Sequence, residues 1–194
     1  MPMQELEPFF NWRHLYRANE DEFSPFFGRE YSEFYYTNQV YNFLIHPQWD
    51  DFGSSTLFVK FLYIGYHEKV AIIEFIGEWN DAINNDIMTL KRELIEELQS
   101  NGIVKFILIG ENILNFHGSD ESYYEEWWQE VEEEDGWIAL VNFRSHVLAE
   151  MSAENIDHYI NFGGILNDFE WRKLTPHQLF DEVDQIIRGR LLIP

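Results

Sequence analysis

Apolar and polar residues alternate in two different periods along this chain. Gln39 to His46 alternates in part, and HPQWDDFGSS then reads as a loop. Thr56 to Tyr66 is a long run of β-branched and aromatic residues, His67-Glu68-Lys69 a short connection, and Val70 to Ile76 a second run. Two such runs so closely joined predict an antiparallel hairpin. Val70-Ala71-Ile72-Ile73 is apolar at every position, the pattern of a strand covered on both faces.

Beyond Ile76 the period lengthens. Ile83, Ile87, Leu90, Leu94 and Leu98 fall on one face of an amphipathic helix, and Gly102 stands where a left-handed helix stop belongs. Ile103 to Ile109 reads as a buried strand. Asp120 to about Glu134 reads as a helix with Tyr124, Trp127, Trp128 and Val131 on its apolar side, and Trp137 to Phe143 as another strand. Val147, Leu148, Met151, Ile156, Tyr159 and Ile160 mark one helix or two short ones. Gly163-Gly164 predicts a turn and Phe169 to Leu174 a last strand. Thr175-Pro176-His177-Gln178 opens the final helix with Thr at the N-cap, Pro at the first helical position and Gln closing a capping box. The order from Val70 is thus β-α-β-α-β-α-β-α. It predicts an α/β fold: a mixed, mostly parallel sheet with an N-terminal antiparallel hairpin and helices packed on it.

Residues 1–37 follow neither period. Phe9, Phe10, Trp12, Tyr16, Phe23, Phe26, Phe27, Tyr31, Phe34, Tyr35 and Tyr36 crowd this stretch, around Pro25 and Gly28. It reads as an aromatic arm on a single domain spanning 38–194. The arm either covers the sheet or offers a patch to a partner or to a second copy in a homo-oligomer.

Composition narrows the functions. The chain of 194 residues has 35 acids against 13 Lys and Arg, a formal charge of −22, and no cysteine. Disulfides, thiolate nucleophiles and thiolate-held metals are thereby excluded. Nucleic acid and anionic membranes are disfavoured, since both are bound mainly through Lys and Arg. MPMQELEPFF is acidic where a signal peptide is basic, and no run of about 18 apolar residues occurs, so a cytoplasmic location is expected.

Ile73-Glu-Phe-Ile-Gly77-Glu78-Trp-Asn-Asp81, the helix after it, Ile103 to Ile109 and Glu111-Asn-Ile-Leu-Asn-Phe-His-Gly-Ser-Asp120 together resemble a STAS domain, the module of anti-sigma-factor antagonists. In that family a strand ends in Gly-Glu-apolar-Asp, and the next strand leads to an Asp-Ser-Ser-Gly segment whose first serine is phosphorylated to control partner binding. The resemblance covers about residues 70–188. Here His117 stands at the aspartate position and Gly118 at the serine position, with Ser119 only their neighbour. The resemblance therefore implies an architecture and a docking surface rather than a chemistry.

Parallel strands ending near Ile76, Ile109 and Phe143 would open their following loops on one rim, where α/β sheets generally hold ligands. The loops supply Glu78, Trp79, Asn80 and Asp81; then Glu111, Asn112, Asn115, His117, Ser119 and Asp120; then Arg144, Ser145 and His146. Ser119, Asp120 and Ser145 also suit helix caps. Arg144 suits an anion, His117 proton exchange, and Asp81, Glu111 and Asp120 a hard divalent metal. No cofactor motif is present, and His46, Asp50 and Asp51 read as a solvated turn rather than a metal site. From Asp120 to Asp135 there are nine acids, with no Lys or Arg between Phe106 and Phe143. A solvated face or a basic partner would accommodate them. Two functions follow: a non-catalytic interaction or regulatory module with a partner of basic surface, or a small-ligand or metal-dependent enzyme at the rim.

Overall fold

The structure, a computed structural model, describes residues 6–191. Four strands form the central sheet in the order β3-β4-β5-β6: β3 (Leu57–Gly65), β4 (Val70–Asn80), β5 (Lys105–His117) and β6 (Trp137–Val141). β3 pairs antiparallel with β4, while β4–β5 and β5–β6 are parallel. The expected mixed, mostly parallel α/β fold is what forms. All eleven residues of β4 are buried, as the unbroken apolar run at its start requires. At its far end Gly77 has φ +116°, and a Cβ there would meet the Thr56 carbonyl oxygen at 2.0 Å, so only glycine fits.

Helices lie on both faces. α2 (Asp86–Leu90), α3 (Glu96–Ser100), α4 (Ser122–Glu132) and α5 (Ser145–Ala153) bury Leu90, Leu98, Trp127 and Met151 against Ile73, Phe75 and Leu108. α6 (Pro176–Leu191) buries Leu179, Val183 and Ile187 against Ile72, Ile107 and Val141 on the other face. Its capping box is complete: the Gln178 N–H donates to Thr175 Oγ1 at 3.2 Å, and the Thr175 N–H donates to Gln178 Oε1 at 2.9 Å. Among the described residues no helix is long and apolar enough to cross a membrane.

Residues 6–37 form turns. Trp12 joins the α6-side core, whereas Ala18 and Phe26 join the opposite one, so this segment passes around the β3 edge. The Trp12 indole donates to the Leu174 carbonyl at 3.1 Å, and the Phe9 N–H donates to Glu74 at 2.8 Å.

Four expectations are corrected. Gln39 to His46 is not one strand but a small hairpin, β1 (Gln39–Val40) and β2 (Phe43–Leu44), paired with itself. The long amphipathic helix is interrupted. A single turn, α1 (Asp81–Asn84), ends at Asn85 in the left-handed region, and Ile83 is 83% exposed. The helix then contains a π turn at Lys91–Ile95, whose extra residue rotates the buried face to take in Lys91 and Ile95. Phe169 to Leu174 is not a strand. Trp171–Lys173 is a 3₁₀ turn, and Trp171 packs across the sheet face against Phe9 and Trp12. Asn161 instead bridges β6 at Ala139, at the edge where a further strand would add. Finally, the His46–Asp51 turn is not simply solvated: Asp50 is fully buried and Trp49 lies in a third apolar cluster.

The acidic helix finds much of its compensation within the chain. The buried Lys91 ammonium reaches Glu126 at 2.9 Å, Glu130 at 3.1 Å and Glu96 at 3.4 Å, and Arg92 reaches Glu126 at 3.2 Å. Burial works against the Lys91 charge, but these glutamates overcome it and hold its pKa above the usual lysine value. Lys91→Met is therefore expected to destabilise the fold by about 1–3 kcal/mol, because half-exposed Glu126 and Glu130 lose their shared donor. Denaturant titration should show this loss, and added salt should recover part of it. An unchanged midpoint would contradict the role given to Lys91.

Candidate functional site

β4 and β5 run further than the sequence pattern suggests, so several residues expected on one rim loop stand on strands with alternating directions. Trp79 is buried in the core under α2 to α5. Glu78 is buried too; it accepts from the Tyr41 hydroxyl at 2.9 Å, and Asn115 Nδ2 and His117 Nε2 each lie 3.5 Å away. His117 is half exposed. Tyr41, at the turn of the β1–β2 hairpin, has φ +53° and is 66% exposed. A non-glycine residue held there stores strain of about 1–3 kcal/mol.

Asn80 and Asp81 organise the first helical turn. The Ile83 N–H donates to Asn80 Oδ1 at 3.0 Å, an N-cap bond. Asp81 is buried and accepts from the Tyr124 hydroxyl at 2.6 Å, the Ile87 N–H at 2.8 Å and the Trp79 indole at 2.9 Å. Burial lifts its pKa to about 6, although these donors pull it down. Its neighbour Asp86 is also buried and accepts from the Asn80 N–H at 2.7 Å.

Glu111 turns to the opposite face. It accepts from Asn142 at 2.9 Å and the Trp171 indole at 2.8 Å, and it pairs with Arg172. Burial would raise its pKa, but those three donors together lower it. Behind it lies Glu74, almost fully buried, bonded to the Phe9 N–H and 3.8 Å from the Arg172 guanidinium. Burial pushes Glu74 up to about 7, against the pull of Phe9 and Arg172 and with the push of Glu111.

The remaining candidates are local. Ser119 Oγ accepts from the Asp120 N–H at 2.6 Å; Asp120 Oδ1 accepts from the Ser122 hydroxyl and from the Ser122 N–H at 3.0 Å, and these donors lower the Asp120 pKa. A Cβ on Gly118 would meet Glu154 Cγ at 2.4 Å. Arg144 lies 3.4 Å from the Glu111 carbonyl, and His146 lies 2.7 Å from the Leu114 carbonyl. Arg144 precedes α5 without a side-chain cap, so Ser145 does not serve as one.

The structure thus brings Glu78, Asn115 and His117 together, with Tyr41 added. It separates Asp81, Glu111 and Asp120, so they do not form a metal site; among the described residues no three His, Asp or Glu side chains converge to hold an ion. Four cavities of about 180 to 330 Å³ open on the surface, and none of these four is lined by Asp81, Glu111, His117, Ser119, Asp120, Arg144 or His146. Glu74 and Lys60 were passed over in the sequence, although each is a lone charge inside an apolar strand run. Tyr41 carried no such signal.

No protein-family model matches the chain, and no curated protein does. Two solved structures are similar to it. One is the crystal structure of a candidate anti-sigma factor antagonist from Thermotoga maritima, TM1081, at 14% identity and a TM-score of 0.41, covering 58% of this chain and 87% of that one. The other is an NMR structure of TM1081, at 17% identity and a TM-score of 0.39, covering 55% and 84%. Both likenesses are remote.

Raised carboxylate pKa values mean that the folded state holds protons which the unfolded chain has released. Their contribution is complete below the unfolded values and is lost as pH rises through about 6 for Asp81 and about 7 for Glu74. Glu111, with its lowered pKa, acts in the opposite sense, losing stability as pH falls through its folded value. Stability should therefore peak at mildly acid pH and decline toward pH 8, with Glu74 supplying up to about 3 kcal/mol of the decline. Glu74→Gln, which keeps the acceptor for Phe9, should flatten that profile in denaturant titrations. A wild-type profile already flat from about pH 5 to 8 would refute the assignment.

Proposed function

We propose that this chain is a non-catalytic protein-interaction module that docks through its exposed aromatic segment onto a partner with a basic surface. One observation carries the reading. Between Phe34 and Leu44 six large apolar side chains stand in solvent, Phe34 at 83% and Tyr35 at 77% exposed, with Tyr36, Tyr41, Phe43 and Leu44. Isolated exposed apolar residues are ordinary, but such a concentration of aromatic ones is typical of interface centres. The β1–β2 hairpin presents part of it, tied to the rim by the Tyr41–Glu78 bond. A groove of about 330 Å³ beside it includes Tyr35, Asn38 and Trp49.

Charge supports the second half of the reading. Glu121, Glu125, Glu132 and Glu133 of the acidic helix region have no ion pair among the described residues. With a formal charge of −22, the chain would steer a basic partner toward it at low salt. The arm on a single domain, and the rim residues as part of the docking surface, belong to the same proposal.

The test compares immobilised wild-type chain with a Phe34→Ser/Tyr35→Ser/Phe43→Ser variant in native lysate, leaving the Tyr41–Glu78 bond intact. The variant should melt like the wild type, since these side chains are exposed and surface changes usually stay within about 0.5 kcal/mol. Wild type should retain a basic protein that rising ionic strength releases, and the variant should retain little of it. Equal recovery on both, or retention indifferent to salt, would sink the proposal.

A further inference from the structure

A cavity of about 280 Å³ lies between the N-terminal segment and β3. Its lining is unusual for this chain. Three of the 13 Lys and Arg residues, Arg13, Arg17 and Lys60, face it, in a protein with 35 acids. Phe9, Trp12 and Tyr16 supply aromatic wall.

The cations are held by the fold. Lys60 is buried, 3.2 Å from the fully buried Asp50 carboxylate and 3.7 Å from the centre of the Tyr31 ring. Asp50 is shared: Arg29 reaches it at 3.0 Å and the Tyr31 hydroxyl at 2.7 Å, so Lys60 has only part of one carboxylate. Burial lowers the Lys60 pKa, and the nearby Arg13 and Arg29 charges lower it further against the pull of Asp50. Arg13 has no ion pair among the described residues; its one side-chain bond is to Gln48 at 3.3 Å. A guanidinium offers five donors, so most of its capacity is unused. Arg17 is paired with Glu20 at 3.0 Å at the surface, and Glu33 is the single carboxylate on the cavity wall. On the wall itself Arg13, Arg17 and Lys60 face Glu33; from outside it Glu20 pairs with Arg17, Asp50 with Lys60, and Asp21 accepts from the Tyr16 hydroxyl, so Arg13 is the wall cation left without an ion pair among the described residues.

We infer that this cavity binds a small aromatic carboxylate, with its carboxylate on Arg13 and Lys60 and its ring among Phe9, Trp12 and Tyr16. A carboxylate supplies the ion pair that Arg13 lacks among the described residues, and Arg presents the fork that matches a carboxylate in two parallel bonds. The volume admits one aromatic ring with a short acid arm, near the lower end of small-molecule sites. The interaction surface proposed above is on other residues, and either assignment stands without the other.

Trp12 in the wall provides the readout. Titration of the full chain with benzoate and with phenylacetate should change tryptophan fluorescence saturably, with Kd values of about 0.1–1 mM for ligands of this size. Isothermal titration calorimetry should give the same constants. Arg13→Gln should weaken binding about 10-fold or more, the factor carried by a charged hydrogen bond, while leaving the melting temperature unchanged. Benzylamine, of similar shape and opposite charge, should not bind. Inorganic phosphate or benzyl phosphate binding more tightly than the carboxylates would overturn the carboxylate assignment. Absence of saturation by both carboxylates, or equal affinity of wild type and Arg13→Gln, would overturn the site.

Discussion

The strand at the centre of the sheet is sealed between two layers and still carries two glutamates. Burying a carboxylate without donors is costly, so the chain around β4 has to reach it. Glu74 is met by a backbone N–H from Phe9 and by the Arg172 guanidinium; Glu78 is met by Tyr41 from the small hairpin. Two segments outside the central sheet are thereby tied to its middle. The aromatic contacts among Phe9, Trp12 and Trp171 then close the layer over Glu74. Its pKa near 7 shows that the donors offset only part of the desolvation.

The same economy governs the acidic helix. Its sequence has no base to pair within the helix, and its C-terminal acids oppose the helix dipole. Relief comes from the preceding helix, whose π turn brings Lys91 to the buried side. The irregular turn and the acid-rich surface are thus parts of one arrangement. Lys69 and Arg188 extend it to Glu134 and Asp135 at 3.5 Å each.

Local pattern carried the sequence reading a long way. The hairpin of β3 and β4, the parallel β5 and β6, the Gly102 stop and the Thr175–Gln178 capping box are all set by residues close in sequence. What escaped it is non-local. Phe169, Trp171 and Leu174 look like a strand by composition, but their partners are Phe9, Trp12 and Glu111, far away in the chain. Ile83 continues a helical period that Asn85 breaks by turning left-handed. The candidate rim divided because β5 extends to His117 and carries one extra residue against β4 between Ile109 and Asn112, so that Glu111 stays on the Trp171 side while Ile113, two residues on, enters the other core.

Both outer strands of the central sheet are blocked by isolated bridges, Asp50 against Val59 on β3 and Asn161 against Ala139 on β6. The Asp50 bridge is complete, with both backbone bonds at 2.8 and 3.0 Å, and its side chain is anchored by Lys60 and Arg29. An open strand edge invites another chain to add itself and propagate. Here each edge ladder is interrupted by a few residues of irregular backbone. A strand adding along the whole of either edge would have to displace the bridge at Val59 or at Ala139, which makes edge-to-edge polymerisation of this highly aromatic chain, and recognition by strand addition, more costly.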